Sequence, residues 1–385
     1  MMKNVLLLDA HTVQAISVAR ALCDCDCLVT GFIPEKLSYG YVSRYIRKKI
    51  ICPKVYDDNF TLFLYKYLAE NKCDIIIPLY DDSAEWLSRN KLEIEGRFNI
   101  RCAIPQYDVF VKAFDKGNLM DVCKKNNLLH PRTMAITKDN IDDVVEYVGF
   151  PSLIKPNISS GARGIVVVNT KEELIDKLND VETNFGSCTL QEYVNHTGVY
   201  YNVMIFRDRN GICRESVILK IMRYFPLKGG TSCYCEIVEN ETLTKICEKT
   251  LDVLDWKGFA DFDIMESVTG EYKIIEINTR VPASVHGAYI SGVNYPEMII
   301  CDAEGVDVVC RKEVGNVMRF AGLDVMWFVF SPERFSFRPT WFKFFGQNVF
   351  YQDGSWKDPL PMIAGVLSGV VKYMNPEFRK AKLKK

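Results

Sequence analysis

Asp263 and Glu276 are the residues of this 385-residue chain whose types and spacing point most directly to chemistry. The stretch from Gly258 to Arg280 reads as two strands joined by a tight Thr269-Gly270 turn. A two-residue turn there sets Asp263 opposite Glu276 and Asp261 opposite Asn278. Strand alternation puts Ile274, Glu276, Asn278 and Arg280 on one face, and Ile275 and Ile277 on the other. Directly opposed residues have Cβ atoms roughly 5 Å apart, and like charges there are destabilising. The pair therefore needs a cation. Hard oxygen ligands, an asparagine carbonyl included, suit Mg²⁺ carrying phosphates. A solvated sheet face whose charges only look organised is the competing reading.

A second group lies upstream, in PSLIKPNISSGARGIVVV, Pro151 to Val168. Lys155 closes one apolar run, and a Ser/Gly loop precedes the next. Small residues let backbone N–H groups approach phosphate oxygens, and a lysine adds a point charge. A glycine-tipped hairpin with a surface arginine, Arg163, explains the same pattern. In TLQEYV, Thr189 to Val194, the last residues could present backbone groups to an adenine edge; a core strand with a polar end would look alike. Lys116, after Phe114-Asp115, reads by itself as solvated.

The elements that must position these groups fall into two patterns. Up to residue 105, strands (Val5–Leu8, Cys27–Gly31, Asp74–Pro78) alternate with helices (Thr12–Leu22, Phe60–Glu70), which argues for a parallel sheet. Its first turn, Asp9-Ala10-His11-Thr12, has no GxGxxG, so a dinucleotide site is unsupported. Asp81 and Asp82 follow a buried strand at the carboxyl edge, where they either touch substrate or, with Ser83, cap the next helix. From Gln106 the spacing predicts helices at 116–125, 141–147, 171–178 and 243–254, with strands at 132–136, 153–155, 165–168 and 188–194. Asp115 is the expected cap of the first of these helices.

Bulk composition narrows the class. A net charge of −1 gives no reason to expect nucleic acid as a partner. No apolar run approaches the roughly 18 residues of a membrane span, and the N-terminal run reads as a buried strand rather than a secretory signal. A cytoplasmic protein with reduced thiols is expected. The pairs in Cys23-Asp-Cys25-Asp-Cys27 and Cys233-Tyr-Cys235 lack zinc-type spacing. The basic end, Arg379 to Lys385, is a solvated tail or is attracted to an anionic surface.

In this order, DKGNLM, SLIKP, SSGARG, LQEYV, ADFDIM and IIEINTRVPAS resemble the ATP-grasp superfamily over residues 115–296. Within it they look like single-unit carboxylate–amine ligases of the carbamoyl-phosphate-synthetase-like and D-alanine–D-alanine-ligase-like kind. The resemblance implies an α/β and α+β chain: a Rossmann-like pre-ATP-grasp domain (1–105), a small lobe with a phosphate flap (106–190), a large lobe with the metal site (191–310) and a C-terminal extension (311–385). It implies that Lys116 and Lys155 bind ATP phosphates beneath a flap of Ser159, Ser160, Gly161 and Gly164. Gln191, Glu192, Tyr193 and Val194 would hold the adenine. Asp263, Glu276 and Asn278 would ligate two Mg²⁺ ions, with Mn²⁺ as a substitute. Arg280 would steady the γ-phosphate and the acyl-phosphate made from it, and Arg223, in MRYFPLKGGTS, would clamp a carboxylate or phosphate, unless it is a surface strand residue.

The implied reaction joins a small carboxylate to an amine, an amino acid on at least one side, through an acyl-phosphate, as in amino-acid conjugate or cell-surface glycan biosynthesis. The resemblance also allows a homodimer. Tyr200 stands where many relatives carry an acidic ribose ligand; Asn202 or His196 could replace it. Ser284 and His286 are expected on the acceptor side, with His286 equally readable as structural. A non-catalytic or regulatory ATP-binding protein is the rival of a different class. The apolar run Met362–Met374, next to the basic end, is either a helix packed on the core or a peripheral membrane contact.

Overall fold

Continuous apolar runs such as Val5–Leu8 and Ile75–Ile77 suit strands covered on both faces, and these residues are buried. In the computed structural model, which describes residues 2–159, 163–227 and 230–374, they form the centre of a five-stranded parallel sheet. Its order is Lys48–Ile51, Cys27–Ile33, Lys3–Leu8, Ile75–Pro78, Arg101–Cys102. Helices Val13–Cys23, Phe60–Glu70 and Asp81–Phe98 belong to this unit. Asp81–Phe98 starts at the carboxyl edge of the sheet, where Tyr80 and Ser83 form its capping box.

The next unit is a four-stranded antiparallel sheet in the order Thr133–Ile136, Cys188–Glu192, Ser152–Pro156, Val166–Val168. Helices Ile141–Val148 and Lys171–Phe185 pack on it through Val144, Val148, Leu174 and Leu178. The helix Lys116–Lys125 begins where its cap predicts, with Asp115 accepting the Asn118 N–H at 2.9 Å.

A seven-stranded sheet follows, ordered Tyr272–Asn278, Gly258–Ser267, His196–Arg207, Cys213–Phe225, Thr231–Val238, Val317–Arg319, Val349–Tyr351. The last two strands come from the stretch expected to be a C-terminal extension, and they lengthen this sheet. One face, including Val203, Phe262, Ile264 and Ile277, packs with the helix Glu241–Leu254. The other, at Met204, Val217 and Leu219, shares a core with Val13–Cys23 of the first unit and with Val285–Ile290 and Tyr295–Glu304.

The hairpin carrying the two carboxylates corrects one expectation. Its strands end at Ser267 and Tyr272, so the turn is longer than Thr269-Gly270 alone. Near it Glu266 pairs with Tyr272, one residue out of the expected register. An irregularity beside Asp263 leaves Ile275 as an extra residue and restores Asp263 opposite Glu276 and Asp261 opposite Asn278. Ile274 consequently joins Ile264 and Ile277 in the core rather than sharing a face with Glu276.

Candidate active site

Three adjacent strands bring the polar residues together. Asp263 pairs with Glu276 on one side and Asn202 on the other. The Asn202 amide donates to the Asp263 carboxylate, and Asn278 Nδ2 donates to Asp261 Oδ2 at 3.2 Å. Lys116 Nζ lies 3.2 Å from Glu276 Oε2 and also donates to the Ser159 carbonyl at 2.7 Å. The buried Lys155 Nζ donates to Gln191 Oε1 at 2.6 Å, and Gln191 Nε2 donates in turn to Thr133 Oγ1 at 3.0 Å. Thus the strand Ser152–Pro156, the start of Lys116–Lys125 and the large sheet converge on one spot.

Their charges are strongly coupled. Burial raises the Asp263 pKa well above the carboxylate range, helped by Glu276 and Asp261. Burial also pushes Glu276 up, but Lys116 and Lys155 outweigh it and hold its carboxyl low. Asp261 is pushed up to about 7 by burial, against Arg280 and Asn278, and its Oδ1 has no hydrogen-bond partner. Burial and the neighbouring Lys116 bring Lys155 down to about 8 despite Glu276. Acids this hard to ionise together, one with an orphaned buried oxygen, fit a divalent cation. Among the described residues no three carboxylate, histidine or cysteine groups form a ready-made cage. Asp263, Glu276 and Asn278 would leave the remaining coordination to phosphate and water oxygens, as Mg²⁺ prefers.

Arg280 is held from the first unit: its Nε donates to Asp81 Oδ1 at 3.1 Å, and Asp81, Asp261 and Asp263 keep it charged against burial. Asp82 is pushed up by burial, then by Asp81 and Asp9, while Arg163 of the glycine loop acts in the opposite direction. The loop after Pro78 therefore meets the site, and Ser83 also caps the helix.

Gln191 and Glu192, expected at the adenine, make contacts within the protein. Glu192 is ion-paired with Lys273 and with Arg132, the latter at 2.7 Å. Its N–H donates to Arg132 O, and the Tyr193 N–H donates to Pro151 O. The Gln191 and Glu192 side chains are thus both engaged by other protein groups. Ser160 and Gly161 lie outside the described residues. Gly164 has φ +75°, and a Cβ there would come within 2.8 Å of Pro156 and the Phe185 ring. Gly164→Ala is expected to cost about 1–3 kcal/mol of stability, read by urea unfolding, and to reduce the melting shift produced by ATP.

Arg223 is a correction. It is 0% exposed, and its Nε and Nη2 bind Asp324 Oδ1 and Oδ2 at 2.8 and 3.1 Å. Nη1 donates to Pro339 O at 3.2 Å, and the guanidinium lies over the Tyr234 ring at 3.9 Å. Asp324 also receives Arg319. Arg223, fully buried, ties the large sheet to the helix Ala321–Phe330. Tyr200 donates to Gly230 O at 3.1 Å, and Asn202 joins the acidic group through Asp263. His196 Nδ1 accepts the Gly198 N–H.

His286 is buried against Tyr289 and pushed down to about 3 by burial and Arg20. It stays neutral in the native state where an unfolded histidine takes a proton, so stability is lost as pH falls through 6.5. Between pH 7 and pH 5 this histidine is expected to remove about 2 kcal/mol, a loss that His286→Gln should abolish in urea unfolding at the two pH values.

Comparison with known proteins shows what the chain is similar to. No family model matches the chain. A D-aspartate ligase of Enterococcus faecium is 23% identical over 256 residues, 62% of this chain and 60% of that protein. A D-alanine–D-alanine ligase of Mannheimia succiniciproducens is 22% identical over 174 residues, 40% of this chain and 53% of that protein. The matches thus span less than two thirds of these relatives. Among solved structures, N5-carboxyaminoimidazole synthetase from Staphylococcus aureus complexed with ADP superposes with a TM-score of 0.66 at 15% identity, covering 82% of each chain. The chain is thus similar in sequence to these ligases and in fold to this synthetase.

Proposed function

We propose that this protein is an ATP-dependent ligase that activates a small carboxylate as its acyl-phosphate and couples it to an amine, releasing ADP and phosphate. The observation that carries this reading is the convergence of Lys116, Lys155, Asp263 and Glu276, with Arg280 held beside them by Asp81. Phosphoryl transfer asks a protein mainly for positioning and charge neutralisation. Lys155 and Lys116 would donate to phosphate oxygens, and the phosphate charge would hold Lys155, whose pKa burial brings down to about 8, as the ammonium. Asp263, Glu276 and Asn278 would hold Mg²⁺, which supplies further screening of phosphate charge.

Arg280 would stabilise the charge on the transferring group and on the acyl-phosphate. The carboxylate oxygen attacks the γ-phosphorus and ADP departs. The neutral amine then attacks the acyl carbon, phosphate leaves with its bonding pair, and the amine proton is lost to solvent. The glycine loop around Gly164 would exclude the water that otherwise hydrolyses the intermediate.

The D-aspartate and D-alanine–D-alanine ligases among the relatives support an amino acid on at least one side. A screen of carboxylates and amines for ADP release tests the proposal. Phosphate release that requires both an acid and an amine is expected; saturable ATP binding with no acid-dependent turnover would make the chain a nucleotide-binding module instead.

A further inference from the structure

The helix Leu360–Met374 is amphipathic in the inverted sense. Its inward stripe is small: Pro361, Ala364 and Gly365 are buried, and Ser368 and Gly369 are half-buried. Gly365 lies so close to the Tyr39 ring that a Cβ would stand 2.3 Å from it, which fixes this stripe against the first unit. The large apolar side chains point away from the protein. Leu360, Met362, Ile363, Val366, Leu367, Val371 and Met374 are all exposed. Ile363, Leu367, Val371 and Met374 follow one another at helical spacing, and Trp356, just before the helix, is 98% exposed. A helix on a water-facing surface places its large apolar residues inward. Here they face outward together, as apolar residues do at interaction surfaces.

The sequence that follows indicates the partner. Asn375 to Lys385 contains five basic residues, Arg379, Lys380, Lys382, Lys384 and Lys385, against one acid, Glu377. An apolar helical face, an interfacial tryptophan and an adjacent polybasic segment are together complementary to an anionic bilayer surface. No helix among the described residues is long and apolar enough to cross a membrane, which leaves a helix lying in the interface. We propose that Trp356 and the outward face of Leu360–Met374, aided by the basic segment, dock this protein on anionic membrane surfaces. The proposal is independent of the ligase reading, since none of these residues belongs to the candidate active site.

Co-sedimentation with vesicles tests it. The full chain is expected to pellet with phosphatidylcholine vesicles containing phosphatidylserine, and at least about tenfold less with phosphatidylcholine alone, since each surface lysine or arginine adds attraction to anionic lipid. High salt should weaken the binding. The double substitution Ile363→Glu, Leu367→Glu should abolish it, whereas Leu62→Glu, at an exposed leucine of Phe60–Glu70, should leave it intact. An unchanged ATP-induced melting shift in the double variant shows that its fold is intact. Absence of binding to anionic vesicles at low salt overturns the proposal. So does a dimer in sedimentation that the double substitution converts to monomer without any vesicle binding, because the face then serves a second copy of the chain.

Discussion

Replacing Glu276 with glutamine is expected to lower acid-dependent ADP release by about 10³-fold, with the protein still folded. Glu276 stands where Lys116 reaches the large sheet, and it faces Asp263 across the hairpin. Glutamine keeps the shape and removes the charge that both lysines and a divalent cation would share. Because Lys116 and Lys155 depress the Glu276 pKa, the native residue is ionised throughout the neutral range, so the substitution changes its charge state fully. Glu276→Asp, shorter but charged, should recover part of the rate. Initial ADP-release rates at saturating ATP measure the effect. Near-native turnover in the glutamine variant would remove Glu276 from the catalytic group.

Asp324→Ala is expected to produce the largest loss of stability, about 3–5 kcal/mol, through a different mechanism. Asp324 is 1% exposed and accepts from two guanidinium groups, those of Arg223 and Arg319, which are themselves buried. Removing the carboxylate strands two buried cations. Arg223→Ala should cost less, because Asp324 keeps Arg319. Urea unfolding gives the stability change, and ADP release per folded molecule at low temperature gives the second readout. A structural Arg223 leaves that specific rate near the parent value. A large fall in specific rate with normal stability would return Arg223 to the substrate.

The lysine half of the candidate site was legible because it is local. Lys155 closes an apolar strand before a small-residue loop, and Asp115 caps the helix that begins with Lys116. The carboxylate pair was legible through strand alternation, although for an incomplete reason. The turn is longer than Thr269-Gly270, and the extra residue Ile275 compensates further along, so Asp263 and Glu276 meet while Ile274 changes face. A bulge leaves no composition cue, which is why the turn alone could not reveal it.

Long-range partners were harder to read. Asp81 reaches Arg280 across 199 positions and Lys273 reaches Glu192 across 81, and nothing in the local sequence of either pair announces the other. Asn202 could have been found from its place on a central strand beside Asp263, had the strand order been known. Arg223 misled because an arginine near a glycine-rich loop looks free in sequence, and its partner Asp324 lies 101 positions away.

Oxygen transfer from the acid to phosphate tests the acyl-phosphate account most directly. With a carboxylate labelled in both oxygens with ¹⁸O, turnover with an amine in unlabelled water should place one labelled oxygen in each phosphate released. That oxygen bridges carbon and phosphorus in the intermediate and leaves with phosphorus when nitrogen attacks carbon. Phosphate free of label, formed at the same rate, would mean that water and not the carboxylate attacks ATP, and would contradict the ligase mechanism.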